Sequence, residues 1–415
     1  LAIRKKLGSL AADALIEDRR AQLGRILQAC LGLTAEARAD RVEVAPQEKI
    51  NWTLSAAMTA KLPVKWVATR LRTREVLGAA VELKPANRAE IKVDEVVPAD
   101  VPLTQPYWLR EAGAAGIFRV DEPRLIGTAE NAPAFPIEFV FDIAGERLVL
   151  PVEWYGIEKT AKGERRRRVD VVSPVALSFP AEVVLFAPGA SKDFAVEVTA
   201  VRFGAEGRLG VVWPPGWSAT PTVQSFRLAR AGEKTLVRFI VKAPTTAGGA
   251  RITVFAEVNG TRYSNQRAEI RYDHIPPQLL QPPARARLVV ADVAKRGTEV
   301  GYLAGAGDDT ARALDQLGYR VRNLSGADLT VEKLRGLAAV VIGVRAFNER
   351  DDLAANLPGL FAWVASGGTV IAQYNRPNGL SAKELGPYPL SIQGSAPQLR
   401  VTDENAPVRI LAADH

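Results

Sequence analysis

Two histidines, one cysteine and one methionine in 415 residues leave this chain poor in the side chains that carry most metal and redox chemistry. A single cysteine, Cys30, excludes an intramolecular disulfide and leaves the redox compartment open. His274 lies in a proline-rich stretch and His415 is the last residue, whereas a catalytic zinc site asks for about three protein ligands. No run of 18 apolar residues occurs, so no membrane-spanning helix is expected. No Gly-x-Ser-x-Gly elbow is present for a serine nucleophile. The net charge of +8 is dispersed, apart from the run Arg165, Arg166, Arg167, Arg168. No aromatic side chains interleave with that run. It reads as a solvated, self-repelling hairpin tip or edge rather than a nucleic-acid contact, and no nucleic-acid partner is expected.

What the chain has in quantity is turns and alternation, with 33 glycines and 27 prolines. Residues 1–33 carry a helical period and close at Gly32, which predicts one long helix that needs a partner to pack on. From Asp40 the period becomes two. Strands are expected at 41–45, 49–59, 64–72, 89–97, 137–143, 147–153 and 168–172, with an irregular insertion around 107–136. Residues 235–242 and 251–258 alternate again, bounded by glycine and proline. Trp213-Pro-Pro-Gly-Trp217 reads as a loop, because two prolines remove ladder donors. Trp213, Trp217 and the pair Tyr107-Trp108 offer faces for a sugar ring, although tryptophans so placed more often close the end of a sandwich core.

Past Tyr272 the grammar changes. Residues 299–303, 320–324, 338–344 and 369–374 read as strands, separated by helices at 309–317, 330–334 and 353–365. That alternation predicts a parallel sheet with right-handed crossovers. Open sheets of this kind take ligands at the carboxyl ends of their strands. Asp308, Asp309, Arg345 and Asn375 fall at those ends, and acceptors beside donors match sugar hydroxyls, so they are the candidate ligand-binding residues. A loop-holding role for the same residues is the competing reading.

The fold expected is multidomain: an N-terminal helical segment (1–38), two immunoglobulin-like β-sandwiches (39–173 and 174–272), a proline-rich linker (273–287) and an incomplete flavodoxin-like α/β domain with a parallel sheet (288–415). The chain reads as cut at both ends. It begins at Leu1 inside a helical pattern and stops soon after the apolar run 408–411.

Residues 174–271, through Pro214-Pro-Gly-Trp217 and Gly248-Gly249 before the strand 251–258, resemble the NEW-type domain associated with α-galactosidases. The α/β series resembles class I glutamine amidotransferases. The turn after 338–344 has Arg345-Ala-Phe-Asn348 where that family places its cysteine, so no thiol nucleophile is expected there. The whole order resembles the C-terminal portion of large bacterial PIG-L family (LmbE-like) deacetylases. The matching stretches are Leu103-Thr-Gln-Pro-Tyr-Trp-Leu109, Tyr272-Asp-His-Ile-Pro-Pro-Gln278, Gly301-Tyr-Leu-Ala-Gly-Ala-Gly-Asp-Asp309, Gln373-Tyr-Asn-Arg-Pro-Asn-Gly379 and Leu385-Gly-Pro-Tyr-Pro-Leu390. The resemblance implies a hydrolase that removes N-acetyl groups from amino sugars with zinc-bound water. Its His-Pro-Asp-Asp motif does not occur here, so no catalytic residue carries over. Zinc is expected in an upstream catalytic domain, not in this chain. The same resemblance implies that domain as a partner in cis, a glycan as a further partner, and an exported location. A stand-alone carbohydrate-binding or structural protein remains the second reading.

Overall fold

The computed structural model describes all residues except 12, 73, 74, 77–79, 86, 115, 393–405, 408 and 410–415. The expected run 408–411 therefore falls largely outside the described residues. The chain is mostly β-sheet, with many strands in several sheets and few helices. It divides into two compact units. One holds residues 1–183, 190–244 and 249–288; the other holds 184–189, 245–248 and 289–415.

In the first unit the expected long helix is two: Ala2–Gly8 and Ala14–Leu31. Asp13 starts the second by accepting from the Ile16 amide at 2.8 Å, and Gly32 ends it in the left-handed region at φ 54°. The 1–38 helical segment also ends early. Thr34–Ala39 is a strand in the middle of a five-stranded sheet, between Lys49–Ala57 and Trp154–Thr160. Its buried side chains, Ala37 and Ala39, lie beside the large cross-strand partners Trp154 and Trp52. Trp52, Phe135 and Trp154 meet edge to face there, with centroids 5.0 to 6.5 Å apart. A second sheet, with Val64–Arg70, Ile137–Ile143 and Glu146–Val152 side by side, supplies Trp66 stacked on Phe139 to the same core.

Val175–Ser178, Ser191–Ala200, Lys234–Lys242 and Ser218–Thr220 form a further antiparallel sheet. Ala205–Val212 pairs with both Val223–Leu228 and Gly248–Val258. Trp213 packs edge-on against Phe194 and Phe239, closing the end of this core. Gly216, at φ 84°, turns the chain so that the Trp217 amide reaches the Pro214 carbonyl.

The stretch expected as a linker, 273–287, is built into this unit instead. Gln278–Leu280 pairs with Ala268–Ile270, and Leu279, Gln281, Ala284 and Ala286 are buried. Proline density marks an edge strand here, because the adjoining backbone is still tied: the Ala284 amide donates to Ser264 and the Gln266 amide to Pro282.

In the second unit four strands run parallel in the order Arg320–Leu324, Glu299–Leu303, Ala339–Ile342, Val370–Ala372. The helix Leu353–Ala365 covers them with Leu353, Leu357, Leu360 and Trp363. Among the described residues no helix is long and apolar enough to cross a membrane.

Candidate functional site

At the carboxyl ends of the parallel strands, the loops are fastened to one another. Asp308 accepts from the Tyr302 hydroxyl at 2.7 Å and the Thr310 amide at 2.9 Å on one oxygen, and from the Val344 amide at 3.1 Å on the other. Burial works to raise its pKa, but these donors outweigh burial and hold the carboxyl below its ordinary value. Burial and the facing carboxylate together push the Tyr302 hydroxyl up to about 12. Asn375, buried, accepts from the Phe347 amide and donates to the Gln373 carbonyl. Asp309 is exposed and faces Arg312 at 3.5 Å, while Arg345, at φ 56°, pairs with Glu349 at 2.8 Å. The structure thus brings Asp308 and Asn375 to one edge as loop fasteners. It leaves Asp309 and Arg345 each on its own helix, and among the described residues no ion pair joins Arg345 to either aspartate.

A concavity lies within the first unit. It has a volume of about 1040 Å³, and its walls come from residues 102–110, 130–134, 150–155, 165–170 and 273–279. Two of the stretches singled out in the sequence meet here. Gln281, 5% exposed, ties them: its side chain donates to the Thr104 and Val171 carbonyls at 2.9 Å and accepts from the Ser173 amide at 2.9 Å, and its amide donates to Gln105. Asn131 clamps the 102–110 segment by accepting from the Tyr107 amide and donating to the Gln105 carbonyl. Tyr107 is a core residue, its hydroxyl donating to Thr128, whereas Trp108 is half-buried and faces the cleft, edge-on to Tyr107 at 4.9 Å.

The arginine run lines the same concavity. It is the edge strand Gly163–Arg168, paired with Trp154–Thr160, so the chain reverses before the arginines rather than at them. The run does not repel itself, because every guanidinium has carboxylates. Arg165 meets Glu158 at 2.7 Å. Arg166 meets Glu36 at 2.9 Å and lies 4.3 Å over the Tyr155 ring. Arg168 meets Glu153, and Glu130 at 3.1 Å. Arg167, with a side chain 4% exposed, sits among Asp170, Glu158, Glu269 and Glu43 at 2.8 to 3.6 Å. Burial raises the pKa of Glu158, but Arg165, Arg271 and Arg167 override it and bring the group down to about 2. For Asp170 burial dominates, and its pKa is raised despite Arg167.

No family model matches the chain, and no curated protein matches it. Among solved structures it is similar to α2-macroglobulin from Escherichia coli, at 10% identity over 63% of this chain and 17% of that one, with a TM-score of 0.22. It is similar to Salmonella α2-macroglobulin reacted with methylamine, at 8% over 62% and 16%, TM-score 0.22. A CARDB domain from Pyrococcus furiosus, solved with di-metal ions, is similar at 15% over 28% of this chain and 87% of its own, TM-score 0.18. The chain therefore spans less than a fifth of the length of the macroglobulins it matches. Likeness at this level assigns neither fold nor activity.

The donor set does not fit a zinc centre. His274 is exposed on the cleft rim, and among the described residues no group of three or more His, Cys, Asp or Glu is placed to hold a metal ion. Sequence reasoning missed the cleft because its charges pair across long separations. Arg166 pairs with Glu36 130 residues away, and Glu43, which meets Arg167 of the wall, also pairs with Arg267 224 residues away. The arginine run and Tyr107-Trp108 were the two visible signals, and nothing local joins them.

Proposed function

We propose that this chain is a non-catalytic accessory region that acts in cis with a PIG-L-type N-acetyl-sugar deacetylase domain, positions that domain and contacts glycan. Zinc and its bound water belong to the upstream domain in this reading. The observation that supports it is the meeting of residues 103–109 and 272–278 at one cleft. Both are among the stretches that carry the resemblance, and a shared location gives both one reason to be as they are. The finer fold assignments belong to the same proposal: immunoglobulin-like sandwiches, the second of NEW type, followed by a flavodoxin-like, amidotransferase-like domain. The strand order second-first-third-fourth of the parallel sheet supports the last, since flavodoxin-type sheets run 2-1-3-4-5.

Reading the coding DNA upstream of Leu1 tests the proposal. An in-frame His-Pro-Asp-Asp motif is the expected outcome. A start codon directly before Leu1, with no such motif, overturns it and leaves a stand-alone carbohydrate-binding or structural protein.

A further inference from the structure

The cleft of the first unit has a chemistry that selects among ligands. Six arginines and six carboxylates line it, so the wall carries fixed charges of both signs and no net excess of either. Each arginine of the run already holds a carboxylate partner. An anionic ligand entering here has to displace those partners or lie against them. A hydroxyl-rich neutral ligand donates to the carboxylates and accepts from the guanidiniums, leaving the ion pairs in place.

Preorganisation points the same way. Arg166 is held from two sides, by Glu36 and by the Tyr155 ring, and Glu36 is held in turn by Arg88 at 2.6 Å. The donors are therefore set before a ligand arrives, which lowers the ordering cost of binding. Trp108, which lines the same cleft, is braced by Tyr107, whose hydroxyl is fixed to the Thr128 carbonyl. A cleft that holds both a braced indole and paired donors and acceptors offers the apolar face of a sugar ring a stacking platform and its hydroxyls bonding partners. The volume of about 1040 Å³ admits several sugar units rather than one.

We propose that this cleft binds an uncharged oligosaccharide, with Trp108 as its stacking platform and the Arg166–Glu36 and Arg168–Glu153 pairs as its hydroxyl partners. The inference deepens the glycan-contacting part of the accessory reading by giving it a site and a ligand class. It places that contact away from the strand ends of the α/β domain.

Calorimetric titration of the whole chain tests it, with N-acetylchitotetraose and cellotetraose as neutral probes and tetragalacturonate and a heparin tetrasaccharide as anionic ones. At least one neutral probe is expected to bind, with an affinity that changes little between about 0.05 and about 0.5 M salt. Trp108→Ala should weaken it by about tenfold or more, and Arg166→Gln by a smaller factor. Should Trp108→Ala unfold, Trp108→Phe keeps an aromatic face and should retain partial binding. Three outcomes overturn the proposal: no heat from either neutral probe, neutral binding unchanged in both variants, or preferred binding of an anionic probe that collapses with salt. None of them bears on the upstream coding sequence, so failure here is separable from failure of the accessory reading.

Discussion

Arg167 is the most committed side chain of the arginine wall. Four carboxylates surround it, from Glu43, Glu158, Asp170 and Glu269, the first and last of them more than 200 residues apart in the chain. Burial acts to lower its pKa, yet Asp170 and Glu269 in particular raise it. Arg167→Met keeps the bulk and leaves Asp170 without its cation, while Glu43, Glu158 and Glu269 keep Arg267, Arg165 and Arg271. It should cost about 3–5 kcal/mol, read as a lower urea midpoint for the first unit. Acid should act on the same cluster. The folded pKa of Glu158 lies near 2, below its ordinary 4.5, so its stabilisation is present above pH 4.5 and is lost as pH falls towards 2. Asp170 runs the other way. Its folded pKa is raised, so its contribution is present at low pH and lost as pH rises through that value, which offsets part of the acid effect. The lowered carboxylates Glu36, Asp40, Asp308 and Asp352 side with Glu158. Net destabilisation between pH 4.5 and 2 is expected in thermal scans, and Glu158→Gln should flatten that limb.

Elements differ in how openly the sequence announces them. Glu299–Leu303, Arg320–Leu324, Ile137–Ile143 and Leu353–Ala365 were readable to the residue, because β-branched runs and a 3.6-residue apolar period leave little choice. Thr34–Ala39, Thr-Ala-Glu-Ala-Arg-Ala, was not. Alanine, glutamate and arginine are good helix formers, and what makes this a strand is its pairing on both sides, which sets Ala37 beside Trp154 and Ala39 beside Trp52. The arginine run showed its charge in the sequence but not its partners, since those depend on which strands become neighbours. Ala37→Leu discriminates between the two conformations. In a helix it is nearly neutral. In this strand it overfills a buried position and should cost about 1–3 kcal/mol by thermal unfolding.

For the molecule as a whole, the boundary of the first unit lies after Leu288 rather than in the proline cluster. A chain ending at Arg271 loses the strand Gln278–Leu280 and the Gln281 side chain, leaving the Ser173 amide and the Thr104 carbonyl without that partner, while the Val171 carbonyl keeps the Thr104 amide. Each buried polar group so stranded costs about 1–3 kcal/mol. Truncation at Arg271 is therefore expected to lower the melting temperature of the first unit well below that of a chain ending at Leu288. Equal melting of the two truncations would contradict the boundary.

The second unit draws residues 184–189 and 245–248 from the middle of the chain as well as everything from 289 onwards. Its sequence is therefore not one contiguous cassette. A ribosome releases two of its pieces long before the rest, and they wait, without their companions, until the parallel strands have been made. A gene rearrangement with a breakpoint near residue 272 or 288 would move the strands and leave those two pieces behind. Inheritance should then keep both units together, and homologues in which the α/β part has been exchanged alone should be rare unless residues 184–189 and 245–248 changed with it.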